Sequence, residues 1–496
     1  MLDPQTKAVL DKLEANPMPR IWEMTPAETR EAFDLFFAEN GLPPCDLVDR
    51  VDRQIPGPHG SIRVRVYRPR TTTSGPRAGL VYYHGGGMVA NSIDTYDRLV
   101  QHLCAGSDCV IVSVDYRLAP EHRFPVPVDD AYAAAAWAYE NALGLGIDQD
   151  RLAVGGDSAG GYLTAVITQL ARDRGGPRFA FQLLIYPAVG TRGYSPSLGE
   201  FATGYLFERA ELDWILTQYI TDPSEARDPR VAPILASDFS GLPPALLITA
   251  GYEIMRDDAE HYGELLRAAG VPVDLHRYES TIHPFLNLAG VIDAGREAID
   301  ECALKLREAL VAAPVRVAAE NEFVRVVHVS LGPGEDSPPY EPAGPVVLVD
   351  LIDGSVRYHA DSFAPITGPT QDVRVELKAA PHSQFGDLDA VAVDSDRYRV
   401  ELENDRVRVV RLRFEAGEQG LMVSHPPRVL VTMTDVFVRV VFDDGRTDER
   451  GAPGGLAVWL ESETLQTENA GAEPLEVILV EPKSRTNNYA QENHDA

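Results

Sequence analysis

Ser158 stands in Gly156-Asp157-Ser158-Ala159-Gly160-Gly161, directly after the apolar run Leu152-Ala153-Val154. A serine between small residues at the exit of a strand forms a nucleophile elbow, a turn too tight for side chains at its flanks. Gly156 and Gly160 are therefore steric requirements, and the strained corner lifts the hydroxyl above the sheet's edge. Such a serine attacks electrophilic carbonyl carbon. A glycine-rich strand-to-helix loop has the same short pattern, so the reading depends on what accompanies it.

Three companions are present. His84-Gly85-Gly86-Gly87 follows the strand-like run Ala78-Gly79-Leu80-Val81-Tyr82-Tyr83. Consecutive glycines let backbone amides converge, so Gly85, Gly86 and Gly87, with the amide of Ala159, are expected to make an oxyanion hole. His84 itself is expected to brace that loop rather than transfer protons. The candidate base is His283, on a late loop after a β-rich segment; its rival, His276, lies inside the alternating run Val273-Asp274-Leu275-His276-Arg277-Tyr278, on the outward face of a strand. For the acid, the strand Ala245 to Ala250 is followed by three carboxylates, Glu253, Asp257 and Asp258. Glu253, just past the strand's end, is placed to hold the imidazole. Asp257 and Asp258 fall in the opening turn of the next helix, where acids are favoured electrostatically. Serine, acid and histidine then occur in the chain order of one hydrolase class.

The elements that must position these groups alternate. Val110 to Val114, Leu152 to Val154, Phe181 to Ile185 and Ala245 to Thr249 are short apolar runs separated by helical stretches, the pattern of a buried, mostly parallel sheet in an α/β domain. An amphipathic N-terminal region, with a helix start at Thr25-Pro26-Ala27-Glu28, precedes the alternating strand Ser61 to Tyr67. The segment from Gly190 to Pro223, rich in Phe201, Tyr205, Leu206, Phe207, Trp214 and Tyr219, interrupts the rhythm.

On the strength of these motifs, together with Asp115-Tyr116-Arg117-Leu118-Ala119-Pro120-Glu121-His122 and Gly241-Leu242-Pro243-Pro244-Ala245, residues 1–312 resemble the hormone-sensitive-lipase-like bacterial esterases of the α/β-hydrolase superfamily. The resemblance implies a helical cap from about 1–45 and 190–223. It also implies Ser158 as nucleophile, His283 as base, an acyl-enzyme intermediate, short to medium acyl esters as substrates and no cofactor. The family's acid is the first Asp of Asp-Pro-Leu-x-Asp, which aligns with Glu253-Ile254-Met255-Arg256-Asp257, so a glutamate replaces an aspartate. Pro284 after the histidine and Met88 after the glycines are two further departures, bearing on efficiency and substrate range.

At 496 residues the chain exceeds one ordinary core. A formal charge of −30 argues against nucleic acid or an anionic membrane as partner. No run approaches the length of a membrane span, and the N-terminus lacks the basic start and apolar core of a secretion signal. Cys45, Cys104, Cys109 and Cys302 have no metal or redox spacing, so reduced thiols and a cytoplasmic location are expected.

From Ala312-Ala313-Pro314 onward, strand-like residues, Gly-Pro turns and acidic loops replace the β/α alternation, which indicates an all-β domain over about 315–485. Glu320-Asn321-Glu322-Phe323-Val324-Arg325-Val326-Val327 recurs 83 residues later as Glu403-Asn404-Asp405-Arg406-Val407-Arg408-Val409-Val410, and Gly334-Glu335 recurs as Gly417-Glu418. A duplication is expected, with copies at about 315–395 and 398–485. The second copy resembles a cupin, a jelly-roll barrel, in Gly417-Glu418, Ser424-His425-Pro426-Pro427 and Gly455 to Asn469. The metal ligands usual in that family are missing: Val423 stands where His425's partner would be, Gln466 is near the later histidine's place, and the first copy offers Tyr340 with scattered His328, His359 and His382. No metal is therefore expected. A homo-oligomer built through this module is the leading expectation, with shielding of the esterase entrance or ligand sensing as alternatives. A non-catalytic binding protein on the hydrolase fold, or a bifunctional esterase with a metal-binding cupin, are the competing functions.

Overall fold

The apolar runs of the N-terminal region pair into one eight-stranded sheet in the computed structural model, which describes residues 1–17, 19–71, 76–190, 195–311, 315–331, 342, 344–360, 370–378 and 388–483. Its strands are β1 (Val48–Ile55), β2 (Ile62–Pro69), β3 (Arg77–Tyr83), β4 (Val110–Asp115), β5 (Ile147–Asp157), β6 (Phe181–Ile185), β7 (Ala245–Tyr252) and β8 (Val273–Ile282), in the order β1-β2-β4-β3-β5-β6-β7-β8. β1 and β2 run antiparallel to each other, and β2 to β4; every later pairing is parallel. β3, β4, β6 and β7 are buried almost end to end, because helices cover both faces of the parallel part. β1 was not legible as a strand. Its six central residues are exposed, and only Val48 and Ile55 at its ends are buried.

The order places β3 beside β5, with β4 on one side and β6 on the other. The chain's winding reverses between them, so a crevice opens beyond their carboxyl ends. Tyr83 pairs with Gly156 at that point, so the loop after β3 and the turn after β5 begin at one level.

The helices of this unit are α1 (Pro4–Ala15), α2 (Pro26–Asn40), α3 (Asp97–Ser107), α4 (Val126–Glu140), α5 (Ala159–Arg174), α6 (Pro196–Glu200), α7 (Arg209–Tyr219), α8 (Arg256–Ala268) and α9 (Asp293–Ala309). Asp3 caps α1 by accepting from the amides of Gln5 and Thr6, both at 2.9 Å. α2 opens on the reciprocal pair foreshadowed by Thr25 and Glu28: the Thr25 amide donates to Glu28 Oε2 at 2.7 Å, and the Glu28 amide to Thr25 Oγ1 at 3.3 Å.

Residues 1–72, 77–143 and 147–311 form one compact unit, and 312–496 belong to a second. The second unit is all-β. Its strands are β9 (Val315–Glu320), β10 (Val324–Leu331), β11 (Val346–Asp350), β12 (Val356–His359), β13 (Thr370–Leu377), β14 (Tyr398–Glu403), β15 (Val407–Phe414), β16 (Gln419–His425), β17 (Arg428–Thr432), β18 (Val436–Phe442), β19 (Thr447–Ala452), β20 (Ala457–Leu460), β21 (Glu463–Asn469) and β22 (Leu475–Pro482). One five-stranded sheet runs β12-β11-β13-β10-β9; another runs β20-β17-β22-β15-β14; β16, β21, β18 and β19 make a four-stranded sheet.

The two five-stranded sheets are the same object twice. Val326 pairs with Val375 and Val347 with Val375 in the first; Val409 pairs with Val480 and Val429 with Val480 in the second. In both hairpins an asparagine side chain caps the turn: Asn321 Oδ1 accepts from Phe323 and Val324, and Asn404 Oδ1 from Arg406 and Val407, at 2.8 to 3.0 Å. A buried glutamate meets an arginine in each, Arg325 with Glu376 and Arg408 with Glu481. Valines of both sheets share one core, Val326, Val375, Val409 and Val480 among them. Ala312, Ala313, Pro314, Gly334, Glu335, Tyr340 and His382, which entered the reading of this module, lie outside the described residues.

Candidate active site

Ser158 turns the chain from β5 into α5 with φ 54° and ψ −116°, a region that a side-chain-bearing residue enters only under constraint. The constraint is steric. A Cβ on Gly160 would lie 1.9 Å from the Tyr83 carbonyl oxygen, and one on Gly156 would lie 2.4 Å from it. The Ser158 amide donates to Ile185 O at 2.9 Å, fixing the corner to β6.

Beyond β3, Gly86 (φ 117°) and Gly87 (φ 62°) fold the loop back, and a Cβ on Gly86 would meet Ala90 O at 2.2 Å. The three loop glycines do not serve alike. The Gly85 amide donates to Asp157 Oδ1 at 3.1 Å, so it is already engaged, whereas the amides of Gly86, Gly87 and Ala159 donate to no group among the described residues. Of the four amides expected to make an oxyanion hole, those three are unengaged. His84 is buried, its ring stacks on Tyr116 with centroids 4.3 Å apart, and Nδ1 lies 2.7 Å from Gly85 O. Burial pushes its pKa down.

Asp157 escaped notice in the sequence, although it sits inside the serine motif. It is wholly buried and accepts from Tyr82 Oη at 3.0 Å, Tyr96 Oη at 2.7 Å and Asn287 Nδ2 at 3.2 Å as well as from Gly85. Burial raises its pKa and these donors oppose the rise. Its work is to tie the glycine loop to the serine turn. Nothing local predicts it, since the donors come from β3 and the loop after it, the residue before α3, and the segments after β6 and β8.

Glu253 follows β7 and His283 follows β8 at once, on neighbouring strand ends. Glu253 Oε2 lies 2.9 Å from His283 Nδ1, and Glu253 Oε1 accepts from the Ala250 amide at 3.0 Å. Both residues are buried. The backbone anchor accommodates the extra methylene relative to aspartate, because the carboxylate folds back on its own strand end. Ser158 and His283 line one cavity, and no hydrogen bond joins their side chains.

The other candidates lie apart. Asp257 Oδ2 accepts from the Ser197 amide at 2.8 Å and Oδ1 from Arg256, in the first turn of α8 beside Asp258. His276 is exposed and pairs with Glu301 at 2.8 Å.

The cavity holds about 700 Å³. Ser158, His283, Gly86 and Gly87 form its floor. Its walls come from α1 (Leu10, Leu13, Glu14), the segment after it (Pro17, Pro19, Arg20, Ile21, Met24), α2 (Phe33, Phe36) and the segment that leads into α7 (Leu206, Phe207, Glu208) with Glu211 and Ile215 of α7. Phe207 lies 5.1 Å from the His283 ring and Tyr186 4.6 Å, centroid to centroid.

In the second unit the donor set does not fit a metal centre. His425 is buried beside Tyr398, whose Oη lies 3.3 Å from Nε2, while Arg428 nearby pairs with Glu463 at 2.7 Å. Arg428 and Arg408 add to burial in pushing the His425 pKa well down. Val423 is a core residue, and Gln466 donates to Gly420 O. Among the described residues, no group of three or more His, Cys, Asp or Glu side chains is placed to hold a metal ion.

The sequence profile of the α/β hydrolase fold matches residues 80–287. Carboxylesterase NlhH of Mycobacterium tuberculosis is 38% identical over 315 residues, which cover 62% of this chain and 96% of that protein. The chain belongs to the α/β-hydrolase fold family. Within that family it is a carboxylic ester hydrolase of the hormone-sensitive-lipase-like branch. Carboxylic ester hydrolase LipN of the same organism is 47% identical over 247 residues, 49% of this chain and 65% of LipN. Among solved structures, an ester hydrolase from the metagenome of Lake Arreo, complexed with a bipyridine phosphonate derivative, superposes with a TM-score of 0.61 at 40% identity, covering 62% of this chain and 99% of that one. The esterase of Pyrobaculum calidifontis gives 0.58 at 41% identity, covering 63% and 100%. These likenesses fall short of the full chain, by about the share that the second unit occupies.

Proposed function

We propose that this α/β hydrolase is a serine carboxylesterase in which Ser158 is the nucleophile, His283 the general base and Glu253 the acid that orients it. The observation that carries the reading is the 2.9 Å contact between Glu253 Oε2 and His283 Nδ1, with His283 and Ser158 on the floor of one cavity. Ser158 Oγ attacks the ester carbonyl as its proton passes to His283 Nε2, and Glu253 supports the imidazolium that results. The carbonyl oxygen takes up negative charge, which the amides of Gly86, Gly87 and Ala159 receive. His283 then protonates the leaving alkoxide. Water, deprotonated by His283, attacks the acyl-enzyme, and His283 returns that proton to Ser158 Oγ as the acid leaves. None of these steps calls for a cofactor.

Short to medium acyl esters suit a cavity of this size with Leu13, Phe33, Phe36 and Leu206 along it. Four unpaired cysteines, the state that a reducing compartment maintains, support a cytoplasmic site of action. The cupin-like second unit, taken as a separate domain over about 315–485, is proposed to act by shape in assembling a homo-oligomer. Each five-stranded sheet ends in strands paired on one side only among the described residues, β12 and β9 in the first, and such edges are pairing surfaces.

The decisive test is Ser158→Ala. Turnover of p-nitrophenyl butyrate is expected to fall by about four orders of magnitude or more, and labelling by a fluorophosphonate to vanish, with the thermal transition preserved. Wild-type turnover, or continued labelling in the cavity, would show that another residue is the nucleophile.

A further inference from the structure

The substrate cavity carries charge that ester hydrolysis itself does not use. Glu208 and Glu211 face it from the start of α7, in a wall otherwise built from Phe33, Phe36, Phe207 and Ile215. Helix capping accounts for part of their presence: Glu211 Oε2 accepts from the Glu208 amide at 2.8 Å, and Glu208 Oε1 from the Gly204 amide at 3.0 Å. Glu211 Oε1 makes no hydrogen bond among the described residues, and Glu211 lines the cavity. One guanidinium stands against the two carboxylates. Arg20 Nη1 lies 3.5 Å from Glu208 Oε1, and the Arg20 side chain is 48% exposed.

Carboxylates among aromatic faces in a partly desolvated cavity suit an organic cation, through charge and through the ring quadrupoles together. We propose that Glu208 and Glu211 make this cavity select esters bearing an ammonium group remote from the scissile carbonyl. The proposal rests on the reading of Ser158 as the nucleophile and names the substrate class that this nucleophile meets.

The charge of the pair depends on pH. Burial, with the Glu208 carboxylate adding to it, pushes the Glu211 pKa up to about 7, while Arg20 opposes the rise. The other titratable groups lining the cavity are Glu14 on α1, Tyr96, Asp157, already held by five donors, and His283. Glu211 therefore becomes an anion as pH rises through about 7, and preference for a cation rises with it.

The test compares charged esters with neutral isosteres. Butyrylcholine is set against 3,3-dimethylbutyl butyrate, placing the charge on the alcohol side. The p-nitrophenyl ester of 4-(trimethylammonio)butyrate is set against that of 5,5-dimethylhexanoate, placing it on the acyl side. For each pair the readout is the ratio of kcat/KM values, each corrected for alkaline hydrolysis, so a general loss of activity cancels. In at least one pair the ratio is expected to favour the cation by about tenfold at pH 8, the worth of one partly desolvated charge pair. It should shrink at pH 6 and collapse in Glu211→Gln. Should that variant fold poorly, wild type carries the test alone, since raising KCl from about 20 to about 500 mM screens the charge and lowers the ratio. A corrected ratio near one in both pairs, indifferent to salt and pH, overturns the proposal while leaving the esterase reading intact. If none of the four esters is turned over and fluorophosphonate does not label Ser158, the esterase reading itself has failed.

Discussion

Glu253 divides its two oxygens between a backbone amide and an imidazole, and both bonds depend on its charge or its shape. Glu253→Gln keeps the shape and removes the charge that supports the imidazolium. Its kcat is expected to fall by about three to four orders of magnitude, with KM little changed. Asp257→Asn, whose carboxylate serves a helix start and the Ser197 amide, is expected to lower the melting temperature slightly and leave kcat within about threefold. Steady-state kinetics of both variants check this; a severe loss confined to Asp257→Asn would move the acid's role there. At this scale the sequence was legible where a residue's place is set by its own turn or strand end, as for Ser158 after β5, Glu253 after β7 and His283 after β8. It was not legible where the task is set by distant donors. Asp157 gathers groups from Tyr82, Tyr96, Gly85 and Asn287, and Gly85 differs from its neighbours only because that carboxylate claims its amide.

The repeated hairpins β9–β10 and β14–β15 close on equivalent asparagines, each accepting from two backbone amides. Replacing either Asn321 or Asn404 by alanine leaves two turn amides without that acceptor, at a cost of about 1 to 2 kcal/mol. The two losses should add within about 0.5 kcal/mol if the turns are independent. Denaturant unfolding of the single and double variants measures both quantities, and a strongly non-additive double variant would mean the turns are coupled through their shared core. The repeat itself was legible from eight residues, because hairpin turn chemistry is local. Its extension over two copies was expected from the constant offset, but the differences between the copies were hidden: Arg374 in β13 holds the place that Leu479 has in β22, and the second copy carries a further four-stranded sheet. The parallel strands were legible as unbroken apolar runs, whereas β1, with its exposed middle, carried no such signal.

For the chain as a whole, the oligomer proposal predicts that protein ending near residue 312 keeps Ser158 labelling yet elutes smaller than the lost mass explains. Light scattering on full-length and shortened protein decides it; an unchanged oligomeric state would assign the second unit another role. The first helix has a different kind of dependence. The Asp3 amide donates to Ser280 O at 3.0 Å, and Gln5 exchanges two hydrogen bonds of 2.9 Å with Asp293, so α1 is held by residues some 280 positions later in the chain. A ribosome adding about 5–20 residues per second needs on the order of 15–60 s to span that interval. Throughout that time α1 has no dock, and Leu10, Leu13, Phe33 and Phe36 remain without the partners that cover them in the folded chain. The cavity wall that carries these side chains is thus assembled after the serine's own turn has been synthesised, and a chaperone able to shield them in that interval would raise the yield of folded protein.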